Sequence, residues 1–349
     1  MSDSGNTLFE KRRSKAIYCI VLGFALILIV GLRHPSMGAD LNYGGSNGYL
    51  GMFKKIGSSD WKAVFTNDFL NYERGYVILN KILSLIGNHY NILLFAAAVA
   101  SIAPIFYIIY KYSKDAAFSV IVYMGLTCFL ICFSGLRQAI AIGITTFSVK
   151  FIIQKKPVKF LIMIFIATLF HYTAFIFALA YILYNIKLNN VTKIISVFII
   201  PIVYLFKVPL FILLSNFFKD EVKTEETGSF MLFFVFTLIY IFMLIIPIKE
   251  CSIASGMRNI FYFACICQVF GGVHTTAMRV GYYFMVALVI AMPNAVNEYE
   301  TPTGKEVPKT DRIAFSLIII FCFTVFGLYL IKSSENSWAM ASPYRFFWQ

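Results

Sequence analysis

The groups able to do chemistry in this chain are few and unusually placed. Arg137 stands in Ser134-Gly135-Leu136-Arg137-Gln138, His171 in Leu169-Phe170-His171-Tyr172-Thr173-Ala174, and Arg279 in Met278-Arg279-Val280-Gly281-Tyr282-Tyr283. Each lies inside a long apolar run or at its mouth, and Lys207 interrupts another such run. None of the 17 carboxylates falls well inside an apolar run. Ionisable groups at membrane depth are costly and read as functional. Cations without membrane carboxylates argue against ion coupling and for an anionic ligand. An Arg at the start of a helix adds a planar bidentate donor for phosphate to the positive end of the helix dipole. The bland alternatives are snorkelling of Arg137 to headgroups, a structural hydrogen bond for His171 and a flanking charge at Arg279.

Two carboxylates keep different company. Asp40 follows Arg33-His34-Pro35-Ser36-Met37-Gly38-Ala39, with Asn42-Tyr43 just beyond, and Glu73 stands in Tyr72-Glu73-Arg74-Gly75-Tyr76. Separated carboxylates beside aromatic residues suit carbohydrate. The carboxylates bind hydroxyls and can take a proton, and the rings pack on sugar faces. The bland reading is a solvated loop, which also holds Asp60 and Asp68. A catalytic base is therefore sought among Asp40, Glu73 and His171, unranked. No nucleophile-elbow, phosphate-loop, zinc-helix or dinucleotide pattern occurs in the right context. The cysteine pairs 128/132 and 265/267 have no metal-site partners nearby, so no metal and no cofactor are expected.

The elements that must position these groups follow from composition. Hydrophobic residues make up 59% of the 349 and charged residues 13%, where soluble domains carry roughly 25% charge. A water-soluble globule and a disordered chain are both excluded. The net charge of +13 is explained by basic residues flanking membrane helices on the cytoplasmic side rather than by nucleic acid. It also suits an anionic lipid-linked substrate. A membrane helix needs about 20 apolar residues. Runs of that kind are found at 16–32, 92–110, 116–133, 135–153, 158–184, 191–206, 208–218, 230–248, 257–273, 280–296 and 313–331. Lys11, Arg12, Arg13 and Lys15 before the first run place the N-terminus in the cytoplasm and residues 33–90 outside. The expected fold is an all-α polytopic membrane protein, a single transmembrane domain over 1–349 with about 10–11 transmembrane or re-entrant helices. A long external loop, 33–90, follows the first span, and an aromatic tail occupies 332–349.

The stretch 191–218, split by Lys207-Val208-Pro209, reads either as one broken span or as a re-entrant pair. A re-entrant pair makes Lys249, Arg258, Lys305, Lys309 and Arg312 cytoplasmic, and a single span makes Lys219, Lys223, Arg279, Lys332 and Arg345 cytoplasmic. The positive-inside rule does not separate the two.

Taken in order, Arg33, Gly38-Ala39-Asp40, Tyr43, Glu73-Arg74-Gly75-Tyr76, Gly135-Leu136-Arg137-Gln138-Ala139, Phe170-His171-Tyr172-Thr173-Ala174, Arg279 with Tyr283, and the tail Pro343-Tyr344-Arg345-Phe346-Phe347-Trp348 resemble the EpsG-like branch of Wzy-type polysaccharide polymerases. The match covers most of the chain and is weakest over 185–258. The resemblance implies a glycosyltransferase of the bacterial cytoplasmic (inner) membrane that makes capsule, exopolysaccharide or O-antigen. Its donor and acceptor are undecaprenyl-diphosphate-linked glycans at the outer leaflet, and it implies flippase and chain-length regulator proteins as partners. It places Arg33, Arg137, Gln138, Arg279, Tyr283 and Arg345 at the substrate diphosphate, with Asp40, Glu73 or His171 as base. It also favours the re-entrant reading of 191–218, which puts Arg279 and Arg345 on the side of Arg33 and Arg137. The rival classes are a lipid-linked oligosaccharide flippase or transporter and a membrane O-acyltransferase using His171 on sugar hydroxyls.

Overall fold

The computed structural model describes residues 2–42, 48–66, 69, 72–218, 230–298, 309–335 and 339–349. Tyr43, Asp68, Lys219, Lys223 and Lys305 lie outside them. The described residues are helical and without a named strand; the only extended pairing recorded is an isolated bridge between Arg33 and Phe346. Among them, five helices are long and apolar enough to cross a membrane: Arg12–Gly31, Tyr90–Tyr112, Leu136–Ile153, Ile253–Gly272 and Arg312–Ser333. Two further pairs pass the same test but are bent, Asn190–Leu205 with Lys207–Leu213 by 79° and Ala277–Met285 with Leu288–Glu298 by 42°. The chain is a multi-pass, all-α membrane protein. It divides into two compact units, Met1–Phe175 with Ile319–Gln349, and Ile176–Ile318.

In the first unit, α1 (Ser2–Gly31) and α6 (Tyr90–Tyr112) run antiparallel, with Lys15 Nζ donating to the Ser113 carbonyl at 2.5 Å. Between them the segment expected as a loop is folded into four helices: α2 (Ala39–Asn42), α3 (Tyr49–Ser58), α4 (Trp61–Phe65) and α5 (Arg74–Ser84). Leu41, Tyr49, Leu50, Phe53 and Tyr76 from this segment bury against Leu93, Leu94 and Ala97 of α6 and against Leu136 and Ile140 of α9 (Leu136–Ile153). Burying such side chains stabilises by roughly 1.5–3 kcal/mol each. The segment is thus a packed helical cap on the spanning helices.

Two runs expected as single spans are interrupted. Residues 116–133 form α7 (Ala116–Met124), a turn at Gly125, and the one-turn α8 (Thr127–Leu130). Residues 158–184 form α10 (Pro157–Thr168), a break at 169–171, a 3-10 turn over Tyr172–Ala178 and α11 (Leu179–Asn185). His171 therefore sits at a break between helices, not on a continuous helical face.

The second unit holds the bent pair α12 (Asn190–Leu205) and α13 (Lys207–Phe218), with Lys207 Nζ 4.3 Å from the Tyr204 ring centroid at the bend. α14 (Phe230–Ile245), α15 (Ile253–Gln268), α16 (Thr275–Met285) and α17 (Leu288–Glu298) follow. A polar knot closes one end of α15. Glu250 accepts from Arg258 Nη2 through both oxygens at 3.1 Å and from Lys193 Nζ at 3.2 Å. Asn259 Nδ2 donates to the Ile186 carbonyl at 2.8 Å. The last helix, α18 (Lys309–Ser333), runs from the second unit into the first. Beyond it the tail returns to the end of α1. Phe347 N donates to Leu32 O at 3.0 Å, His34 N to Arg345 O at 2.8 Å, and Tyr344 Oη to Ile29 O at 2.7 Å.

Candidate active site

Three helix ends converge in the first unit. α5 begins at Arg74 with Glu73 as its N-cap, and the Glu73 side chain makes no capping bond. It turns outward, where the positive end of the helix dipole still favours its ionised form. α9 begins with Arg137 as its second residue. A cation at a helix N-terminus opposes the dipole and needs an anionic partner. Glu73 supplies it: Arg137 Nη1 donates to Glu73 Oε2 at 2.6 Å. The third end is the break after α10. There the His171 Nδ1 lies 3.1 Å from Glu73 Oε1, and the Tyr172 amide donates to the same oxygen at 3.2 Å.

Gly75 makes this convergence possible. Its amide, left unpaired by the first turn of α5, donates at 2.8 Å to the Leu169 carbonyl left unpaired by the last turn of α10. A Cβ on Gly75 would stand 2.7 Å from that oxygen and 2.8 Å from the Leu169 Cβ. Only glycine lets the two helix ends touch.

Burial pushes the Glu73 carboxyl upward, but the His171 hydrogen bond and the Arg137 charge outweigh it and hold the pKa down at about 2. The carboxylate is therefore anionic at any physiological pH and occupied on both oxygens. The trio is neither sealed nor fully open: Arg137, Glu73 and His171 side chains are 24%, 14% and 18% exposed.

Aromatic rings surround it. The Arg137 guanidinium lies 4.8 Å from the centroid of Tyr72 and 5.9 Å from that of Tyr49. Arg137 Nε also reaches the Tyr49 hydroxyl at 3.4 Å. Tyr72 stacks on Tyr76 at 6.0 Å, and Tyr49 meets Tyr76 edge-on at 5.6 Å. Tyr49 was not singled out by sequence, whereas Tyr72 stands in the Glu73 motif whose rings are expected to pack on sugar faces. Burial raises the Tyr72 phenol, Arg137 lowers it, and Asp40 and Glu73 add to the upward push. Asp40 thus belongs to the same electrostatic neighbourhood.

Asp40 and Arg33 are set by a second clamp. Gly38 has φ +97°, and a Cβ there would fall 1.9 Å from the Phe133 carbonyl oxygen. The turn it permits presses residues 33–40 onto the chain just before α9. Asp40 N donates to Ser134 Oγ at 3.3 Å. Arg33, assigned by resemblance to the diphosphate, is fully buried. Its guanidinium donates to Phe133 O at 2.9 Å, to Met37 O at 3.4 Å and to Val30 O.

Gln138 is buried beside Arg137 on α9, and the Arg345 side chain is exposed while its backbone holds the tail to His34. Arg279 and Tyr283 belong to the second unit, on α16, the first half-buried and the second buried. Asp40, Glu73, Arg137 and His171 are the candidates brought together within one unit.

The family model described as the EpsG family matches residues 16–346, nearly the whole chain, and the chain belongs to this family of Wzy-like polysaccharide polymerases. No curated protein and no solved structure matches it.

Proposed function

We propose, with membership of the EpsG family as the premise, that this chain polymerises lipid-diphosphate-linked oligosaccharide repeat units into a cell-surface polysaccharide. The lipid is undecaprenyl, the site faces the outer leaflet of a bacterial cytoplasmic membrane, and the N-terminus is cytoplasmic. The reaction transfers the growing glycan from its diphosphate carrier to a hydroxyl of the next lipid-linked unit. The C1–O bond to diphosphate breaks, a C1–O bond to the acceptor forms, and the acceptor proton passes to a base.

The observation that carries this reading is the Glu73 carboxylate held between Arg137 and His171 beside Tyr72 and Asp40. With both Glu73 oxygens engaged, the base is His171. A neutral imidazole that donates Nδ1–H to Glu73 presents an unprotonated Nε2 to the acceptor hydroxyl. Glu73 orients the ring, as an acid orients the imidazole in a hydrolytic triad. With a neutral His171 the trio carries no net charge, and it becomes net +1 when His171 takes the proton, as negative charge develops on the departing diphosphate. Arg137 supplies fixed positive charge for that moment. Asp40 and Tyr72 are assigned to the acceptor sugar, the first by hydroxyl binding and the second by ring packing. Arg33 acts as a positioning residue, clamping the turn that carries Asp40. Gln138 and Arg345 remain assigned to the substrate side within the first unit, while Arg279 and Tyr283, in the second unit, keep only the substrate-binding role that the family resemblance implies.

The test is reconstitution. Purified protein given lipid-linked repeat units, without nucleotide sugar, yields a ladder of longer glycans. Transbilayer movement of the lipid-linked unit with no ladder would replace this reading with the flippase.

A further inference from the structure

The helical cap carries an apolar surface that neither its own core nor the site uses. Phe65 is 65% exposed, Leu85 68% and Ile86 73%, and Trp61 and Ile82 are exposed beside them. Trp61 and Phe65 stack at 6.4 Å on one side of α4, and Ile82 near the end of α5 is followed at i+3 and i+4 by Leu85 and Ile86 in the turn just after it. One residue joins the two groups. Lys81, next to Ile82, is buried, donates to the carbonyls of Gly57 at 2.9 Å and Ser59 at 2.5 Å, and places its ammonium 5.9 Å from the Trp61 ring. Lys81 thus ties the start of α4 to the helix that carries Ile82. An exposed apolar patch of this kind marks a contact with a membrane or a protein.

Charge and position select between them. Lys54, Lys55 and Lys62 are exposed on α3 and α4. The acid among them, Asp60, spends its carboxylate on capping α4 through the Ala63 amide at 2.8 Å. Three exposed lysines against one carboxylate leave the exposed charge of α3 and α4 positive, complementary to lipid phosphate. Ile86 stands four residues before Tyr90, where the spanning helix α6 begins, which places this group beside a membrane-crossing element in the chain. Trp, Phe and Leu on one face with Lys at the border is the composition of helices that lie in the bilayer interface, and Trp is enriched at that depth.

We propose that α4 and the C-terminal end of α5 are seated in the interfacial layer of the leaflet they face, with Trp61, Phe65, Ile82, Leu85 and Ile86 among the upper acyl carbons and Lys54, Lys55 and Lys62 at the phosphates. The occupant of the patch is the lipid surface. Because α5 carries Glu73 at its other end, the membrane contact fixes the helix that sets the height of the site above the bilayer.

The chain contains 3 Trp, at positions 61, 338 and 348. The full-length W338F/W348F protein in lipid nanodiscs therefore reports on Trp61 alone. Phospholipids brominated near the headgroup should quench its emission about twofold or more, and phospholipids brominated near the chain end less, as for a ring about 5–10 Å below the headgroups. Replacing Lys54, Lys55 and Lys62 together by Gln should reduce the headgroup-proximal quenching. Free quenching by aqueous iodide with no effect of bromine at either depth would overturn the proposal. So would a blue-shifted emission untouched by bromine together with disulfide cross-linking of F65C between chains, which would assign the patch to a second copy.

Discussion

Each unit contains a carboxylate set between cations, and the two arrangements are built to opposite ends. In the second unit Glu250 meets Lys193 and Arg258. Arg258 is 0% exposed, shares its Nε and Nη2 donors with the adjacent Asn259, and lies eight residues from its carboxylate. That cluster is local, sealed at its arginine, and lacks an imidazole among its recorded partners. In the first unit Glu73 meets Arg137 and His171 across sequence separations of 64 and 98 residues, with all three side chains partly exposed. One carboxylate ties a helix start to its neighbours. The other gathers three helix ends and leaves a titratable group at the edge of solvent. A charge cluster becomes a candidate for catalysis through what it leaves reachable, not through its count of ion pairs.

The contrast breaks if substitutions in the two clusters have the same effect. His171→Ala is expected to lower polymer formation about 10²–10⁴-fold, the range for loss of a general base. Arg137→Lys should lower it about a hundredfold, ~3 kcal/mol, since an ammonium cannot reproduce the planar contact with Glu73 and Tyr72. Glu73→Gln keeps shape but loses the charge that orients His171, and should fall in the same range. In each case the protein should reach the membrane in normal amount, read by immunoblot of membranes beside the glycan ladder. Wild-type polymer from Asp40→Asn, Glu73→Gln and His171→Ala alike would overturn the site.

Glu250→Gln should do the reverse. Removing one partner from a buried pair costs about 3–5 kcal/mol. Glu250 is 25% exposed, which reduces the expected loss to about 1–2 kcal/mol. The thermal midpoint in detergent falls while activity per folded molecule holds. The double change Glu250→Leu with Arg258→Met should recover part of that stability, whereas no apolar pair at 73 and 137 recovers polymer.

Gly75→Ala sharpens the comparison on the backbone side. A methyl 2.7 Å from the Leu169 oxygen forces the α5 start away from His171. A displacement near 1 Å is worth on the order of a hundredfold in rate, and the backbone clash costs about 1–3 kcal/mol of stability as well. Kinetics and the thermal midpoint of the same preparation separate these.

The smallest effect concerns pH. The folded pKa of Glu73, about 2, lies below its usual 4.5. Its contribution to stability is therefore complete above pH 4.5 and lost as pH falls through about 2. The difference in thermal midpoint between wild type and Glu73→Gln should shrink as pH falls below about 4.

The spanning helices were legible because apolar runs about 20 residues long have few other uses. The helical cap was not, because α2 to α5 are short and mixed in polarity, so no period stands out. The turn at Gly125 carried a local signal. The break at His171 carried none: no Gly or Pro lies in Leu169-Phe170-His171-Tyr172, and the interruption is stabilised from outside by Gly75 and Glu73. Glu73, Arg137 and His171 were each marked by an unusual setting. Their meeting could not be read locally, since the contacts join distant helix ends. Arg33 shows the opposite failure: its type suggested anion binding, while its geometry makes it a clamp on carbonyl groups.

The tail that pairs with the end of α1 has a consequence for biosynthesis. Tyr344 is 315 residues downstream of the Ile29 carbonyl it binds. At a synthesis rate of about 5–20 residues per second, Ile29 waits roughly 15–60 s for that partner. The Phe133 carbonyl that receives Arg33 is 100 residues away and emerges about 5–20 s after it. The partners of these clamps thus become available in sequence: Phe133 for Arg33, then Arg137 and His171 for Glu73, and the tail last.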